Sequence, residues 1–206
     1  KGQKIKGIET LLPELTEAVT QARGKGTPVR LLTAPLSLEV PHPSPKTLSW
    51  ESADVTLPPH TMLCGRRYQI GQPPAPELVA FDDAPHILVC GVTGAGKSVM
   101  LNTMLATLTF NTSPEDVRIL LIDLKNEDML PFRNLPHVER FAGLMEEAEA
   151  SIGAAIAELD RRIATPGHKP FRLVVWIDEV AELATNNAMK ESLGRLASAG
   201  RSKGIN

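Results

Sequence analysis

The most specific chemistry in this 206-residue chain lies in eight consecutive residues, Gly91-Val92-Thr93-Gly94-Ala95-Gly96-Lys97-Ser98. They fit G-x-x-x-x-G-K-[ST], a loop that binds phosphates. The glycines let the backbone bend until several N–H groups converge on phosphate oxygens, and a helix opening at the loop adds the positive end of its dipole. Lys97 is then the side chain that reaches the β and γ phosphates, and Ser98 supplies a hydroxyl ligand for Mg²⁺. The bland alternative is a glycine turn that merely joins a strand to a helix.

A second group lies eighty residues downstream. Leu173-Val174-Val175-Trp176-Ile177 is an apolar run closed by Asp178 and Glu179. Side chains leaving the C-terminal edge of a parallel strand enter the ligand crevice. There Asp178 can orient the magnesium shell, and Glu179 can accept a proton from an attacking water. A carboxylate that caps the next helix is the other reading of Glu179. Loop and acid pair together imply nucleotide hydrolysis, with ATP and Mg²⁺ as cofactors. Asp123 and Lys125 end another apolar run, Leu121-Ile122-Asp123-Leu124-Lys125. Asp123 either orders the site or pairs with Lys125 and shapes the turn.

These residues need a scaffold that brings strand ends together. Short apolar runs at His86–Cys90, Val117–Ile122 and Leu173–Ile177 predict buried parallel strands. Helical spacing predicts helices over Lys97–Phe110, from Leu144 to Ile163, and over Ala188–Ala199. Alternating strands and helices imply right-handed crossovers and helices on both faces of the sheet. Cys90 is expected to be small and buried before the loop, with His86, Met100, Met104 and Trp176 as packing residues. Gly200–Asn206 reads as the turn into a further strand, so the core is expected to be incomplete at its C-terminal end.

Upstream the composition differs. Twelve of the 17 prolines fall within residues 1–85. Ile8, Leu11, Leu12, Leu15, Ala18, Val19 and Ala22 predict a helix over residues 8–23, and Val29–Thr33 and Leu36–Val40 predict short strands. The expected organisation is a small α+β domain at 1–45, a linker with short strands at 46–76, and an α/β nucleotide-binding core at 77–206.

The bulk numbers exclude several classes. No apolar run approaches the roughly 18 residues of a membrane span. Two cysteines, Cys64 and Cys90, are too few for a disulfide framework and fit a reducing cytoplasmic setting. A net charge of −2 gives no overall reason for nucleic-acid binding, and 4% aromatics argues against stacking on single strands. The net charge conceals local contrast. Residues 1–30 and residues 189–206 each carry a net +3, and residues 139–160 a net −5, which predicts a solvated outer helix face. The chain begins at Lys1, as a fragment would.

The loop Gly91–Ser98, the Leu121–Lys125 segment, Leu135-Pro136-His137, Ile177-Asp178-Glu179-Val180-Ala181-Glu182-Leu183 and Gly200-Arg201-Ser202-Lys203-Gly204-Ile205-Asn206 together resemble the FtsK/SpoIIIE family of DNA-pumping ATPases. Leu124 stands where that family usually has proline, and Asn206 where it has histidine. The resemblance implies a RecA-like P-loop core with a mostly parallel sheet, preceded by the family's small domain. It also implies an ATP-hydrolysing motor that moves double-stranded DNA through a homo-oligomeric, hexameric ring. No span is present in the chain, although a further segment could anchor such a motor to a membrane. Polypeptide cargo or a coupling role at a secretion channel is the alternative within the same ATPase class.

By that resemblance Lys97 and Ser98 are the phosphate and magnesium residues, and Asp178 and Glu179 the second acidic motif. Arg201 falls at the position of an arginine finger acting on a neighbouring subunit's γ-phosphate. The other readings are a cation at a helix C-terminus for Arg201 and a finger at Arg195.

Overall fold

The computed structural model describes residues 13, 17, 30–33, 36–39, 57–67, 75–92, 94–167 and 170–206. Lys1–Val55 and Thr56–Asn206 are two compact units. In the first, strand β1 (Arg30–Thr33) pairs antiparallel with β2 (Leu36–Glu39). The helix expected over residues 8–23 lies outside the described residues except for Pro13 and Glu17, both helical and exposed.

The second unit starts with an antiparallel hairpin of β3 (Thr61–Arg67) and β4 (Ala75–Ala80), with an irregular register between Leu63 and Gly65. The remaining elements follow in the order α1 (Lys97–Phe110), β5 (Val117–Asp123), β6 (Val138–Ala142), α2 (Met145–Ala164), β7 (Arg172–Asp178), α3 (Val180–Leu183) and α4 (Asn187–Ala199). Three strands form a parallel sheet in the order β6-β5-β7. No described helix is long and apolar enough to cross a membrane.

Strand periodicity explains the layering. Successive side chains point to opposite faces, so a strand covered on both sides must be apolar at every position. On β5, Ile119 and Leu121 pack with Met104, Leu105 and Leu108 of α1, together with Met62 and Trp176. Leu120 and Ile122 enter the opposite core with Ile152, Ala155 and Leu159 of α2 and Met189 and Leu196 of α4. The result is a helix–sheet–helix sandwich around a parallel sheet. Met100 packs at the edge of the first core, as expected for a packing residue.

Local signals set the helix ends. Glu147 accepts hydrogen bonds from the backbone N–H of Gly143 (2.9 Å) and Leu144 (3.1 Å), satisfying donors ahead of α2. Glu146 and Glu147 in its first turn and Arg161 and Arg162 in its last complement the helix dipole. Asn186 caps α4 by accepting from Ala188 N at 2.9 Å.

Three expectations require correction. His86–Cys90 is not a strand: it has no ladder, and His86, Ile87, Leu88 and Cys90 are exposed. The first half of β7 meets residues 204–206 along its other edge. Leu173 bridges Ile205 in parallel, Val175 N donates to Asn206 O at 2.8 Å, and Asn206 Nδ2 donates to Pro85 O at 2.8 Å. Cys90 and His86 are therefore surface residues rather than buried ones. Strand β6 was not expected, because as an edge strand it carries Glu139 and Arg140 in its middle and lacks the apolar run of its neighbours. The acidic stretch is not wholly a solvated face. Glu158 is tucked against Arg161 and Arg162, and Asp160 pairs with Arg195.

Arg162 is a fully buried arginine. Its Nε donates to Glu158 at 2.5 Å, and its Nη1 donates to the carbonyls of Lys203 (2.7 Å) and Gly204 (3.1 Å). It thereby holds the turn of residues 200–204, including the short 3₁₀ segment Arg201–Lys203. The turn is tight enough to require glycine at its entrance. A Cβ on Gly200 would lie 2.5 Å from Leu196 O and 2.7 Å from Ile205 O.

Candidate nucleotide-binding site

Helix α1 begins at Lys97, immediately after Gly96, whose φ of 91° is in the left-handed region. An L side chain is strained there, which is why glycine must precede the lysine. The first turn of α1 has no acidic side chain and no side-chain cap, so its N–H groups face the loop unopposed. Gly91, Val92, Gly94, Ala95 and Gly96 are exposed, with Ala95 N donating to Val92 O at 3.0 Å. Thr93 lies outside the described residues.

The parallel register brings the other groups to this loop. Asp123 and Asp178 are direct neighbours at the C-terminal ends of β5 and β7. Asp178 is buried, and its Oδ1 accepts from Lys97 Nζ at 2.8 Å. That hydrogen bond raises the Lys97 ammonium above its ordinary pKa and keeps it charged. Glu179 Oε2 lies 3.7 Å from the same ammonium and accepts from Lys125 Nζ at 2.7 Å. The hydrogen bond from Lys125, followed by the charges of Lys97 and Lys125, holds the Glu179 carboxyl below its ordinary value, so it is ionised at neutral pH. Glu179 is also one of three described non-glycine residues at positive φ, at 61°. Such a conformation costs about 1–3 kcal/mol and is characteristic of functional sites.

Asp123 is completely buried and faces its own turn. Its carboxylate accepts from the backbone N–H of Lys125 (3.2 Å), Glu127 (3.0 Å) and Met129 (3.0 Å). It therefore shapes the turn through the Lys125 backbone, while the Lys125 ammonium pairs with Glu179. The same turn delivers Asp128, which accepts the hydroxyl of Ser98. Sequence reasoning passed over Asp128; the available signal was an acid five residues beyond the Asp that closes an apolar run.

Among the described residues no group of three or more His, Cys, Asp or Glu forms a metal cage. Ser98, Asp178 and Asp128 nevertheless suit a small hard cation such as Mg²⁺, which binds through one or two carboxylates plus phosphates and water.

The Arg201 side chain is exposed and makes no hydrogen bond or ion pair among the described residues, while its carbonyl accepts from Gly204 N at 3.2 Å. It stands at the far end of α4 from the helix's capped start, just past the last turn. Arg195 is engaged instead, with its guanidinium bonded to both carboxylate oxygens of Asp160.

A sequence model of the FtsK/SpoIIIE family matches residues 39–166, more than half of the chain. The chain belongs to the FtsK/SpoIIIE family. Within it, the DNA translocase SftA of Bacillus subtilis (strain 168) is 32% identical over 155 residues, covering 63% of this chain and 16% of that protein. The chain spans 22% of the length of DNA translocase FtsK of Clostridium tetani (strain Massachusetts / E88) and 12% of that of Haemophilus ducreyi (strain 35000HP / ATCC 700724). Solved structures share the fold at lower identity. The pCW3 conjugation coupling protein TcpA, solved with ATPγS, superposes with a TM-score of 0.61 and 19% identity over 98% of this chain and 62% of that one. ATPases 2 and 3 of Thermomonospora curvata EccC, in complex with a signal sequence peptide, give a TM-score of 0.58 and 22% identity over 64% of this chain and 26% of that one. The architecture is that of a RecA-like P-loop ATPase core.

Proposed function

We propose that this chain is the nucleotide-hydrolysing core of a motor that moves double-stranded DNA and acts as a homo-oligomeric, hexameric ring. The observation that carries this reading is the convergence of Lys97, Asp178 and Glu179 at the open N-terminus of α1, in a chain similar to DNA translocases.

The nucleotide's β and γ phosphates would rest on the N–H groups of the loop and first turn, and the Lys97 ammonium would transfer from Asp178 to them. Mg²⁺ would be held by Ser98 and Asp178, and would neutralise charge on the phosphates. Ionised Glu179 would take the proton of the attacking water. Arg201, unpaired at the surface, is suited to reach the γ-phosphate bound by a neighbouring subunit and to stabilise transition-state charge. The paired state of Arg195 makes it the weaker choice.

The test is ATP hydrolysis by the whole protein with and without duplex DNA, repeated with Lys97→Ala. Stimulation by duplex DNA that the substitution abolishes is the expected result. Hydrolysis indifferent to duplex DNA but stimulated by a polypeptide substrate would replace the DNA reading with the polypeptide one. Mixing Arg201→Ala with Glu179→Ala subunits addresses the ring. Interfaces that pair an intact Glu179 with an intact Arg201 should recover activity, and a confirmed mixed ring without recovery would exclude a finger acting between subunits.

A further inference from the structure

Glu179 is bracketed by two lysines, and they hold it differently. Lys97 is 3.7 Å away and already bonded to Asp178, whereas Lys125 donates to Glu179 Oε2 at 2.7 Å. Glu179 Oε1 accepts no hydrogen bond among the described residues. We infer that Lys125 is the positioning residue for Glu179: its ammonium fixes Oε2 and thereby orients Oε1 toward the attacking water. This rests on the reading of Glu179 as the base. In the step, Oε1 takes a proton from water, the water oxygen forms a bond to the γ-phosphorus, and the β–γ bridging P–O bond breaks with its electron pair leaving on ADP.

Magnitudes decide between this role and a structural one. The Lys125 and Glu179 side chains are 49% and 34% exposed. A pair so open to water adds little to stability. Its construction is much stiffer than that contribution requires. The Lys125 backbone N–H is tied to the buried Asp123 carboxylate, and the Glu179 backbone is locked in a left-handed conformation at the start of α3. Both partners are thus set on rigid backbone, in the relation of a base to the third group that orients it. Once Lys97 moves to the phosphates, Lys125 is the remaining described cation bonded to Glu179. A free carboxylate would rotate about its side-chain torsions and lose the aligned geometry on which proton transfer depends.

The experiment compares kcat with the affinity for a fluorescent, non-hydrolysed ATP analogue in the whole protein. Lys125→Ala and Lys125→Met should each lower kcat about ten-fold or more, since a positioned base contributes roughly 10²–10⁴-fold and misalignment forfeits part of that. Analogue affinity should stay within about two-fold, and Lys125→Arg should recover most of the rate because its guanidinium can also bond Oε2. On a Glu179→Gln background, Lys125→Ala should leave the residual rate unchanged, because groups that act as a unit are not additive. An unchanged or raised kcat in both Lys125 variants, or an equal loss on the Glu179→Gln background, would overturn the assignment. Full hydrolysis by Glu179→Gln would instead remove Glu179 as the base. Loss in Glu179→Gln with normal rates in both Lys125 variants would remove Lys125 alone.

Discussion

Asp123 and Asp178 are register partners at the ends of adjacent parallel strands, both buried, yet their carboxylates serve opposite ends. Asp123 binds three backbone N–H groups of its own turn, and Asp178 binds the Lys97 ammonium. One builds the turn that presents Lys125 and Asp128; the other faces the phosphate loop.

Removing the first should unmake the turn. Asp123→Ala strands up to three backbone donors, at about 1–3 kcal/mol for each that finds no water. A net loss of roughly 2–4 kcal/mol is expected in denaturant unfolding. Hydrolysis should fall as well, because Lys125 and Asp128 lose their anchorage. A midpoint indistinguishable from the parent protein's would show that the three hydrogen bonds do not organise this turn.

Removing the partner of the second exposes a different cost. Lys97→Ala leaves the Asp178 carboxylate, with only 5% of its side chain exposed, without its cation. Stability without nucleotide should drop by about 1–3 kcal/mol. Adding Asp178→Asn should return part of that stability, since a neutral amide is cheaper to bury, while hydrolysis stays lost. A double variant no more stable than Lys97→Ala would count against the pair as the source of the cost.

Glu179 should show function opposing stability. Glu179→Gly removes the left-handed strain, worth about 1–3 kcal/mol, and loses an exposed ion pair that adds little to stability. The variant should therefore melt at the parent temperature or slightly above it, while hydrolysis collapses. Destabilisation beyond about 1 kcal/mol would mean that Glu179 supports the fold rather than straining it.

The Glu158–Arg162 pair predicts a pH dependence. Burial pushes the Glu158 carboxyl up, but hydrogen bonds from Arg162 and Arg161 outweigh it and hold the group below its ordinary value of 4.5. A depressed folded-state pKa gives stability that is present above pH 4.5 and is lost as the pH falls through the lower folded value. Glu158→Gln should thus be less stable than the parent at pH 7 by about 1–3 kcal/mol, with the gap closing in acid. A gap that is constant from pH 7 to strong acid would exclude the ionised pair as its cause.

Much of the scaffold is legible in the residues because its signals are local. Helix α1 runs over Lys97–Phe110 as its spacing predicts, and β5 and β7 are the two apolar runs, each extended to its terminal Asp. The failures occur where a neighbour decides. His86–Cys90 has strand composition but no ladder partner among the described residues, and a strand forms only where a second segment takes up its backbone hydrogen bonds. Strand β6 has a partner in β5 but not the composition, because an edge position tolerates Glu139 and Arg140.

The reactive groups are evident from residue order alone: the glycine-rich loop ending in Lys97 and Ser98, and the Asp178–Glu179 pair. Backbone freedom, charge and apolar period are properties of the residues themselves, so their order along the chain is enough to read them. Which of these groups meet depends on how the chain folds. Lys125 with Glu179, Ser98 with Asp128 and Lys97 with Asp178 are joined across 54, 30 and 81 positions. Those pairings follow from the parallel register of β5 and β7 and from the turn that Asp123 folds. A register is a relation between segments distant in the chain, set by packing on both faces of the sheet, and no single segment carries it.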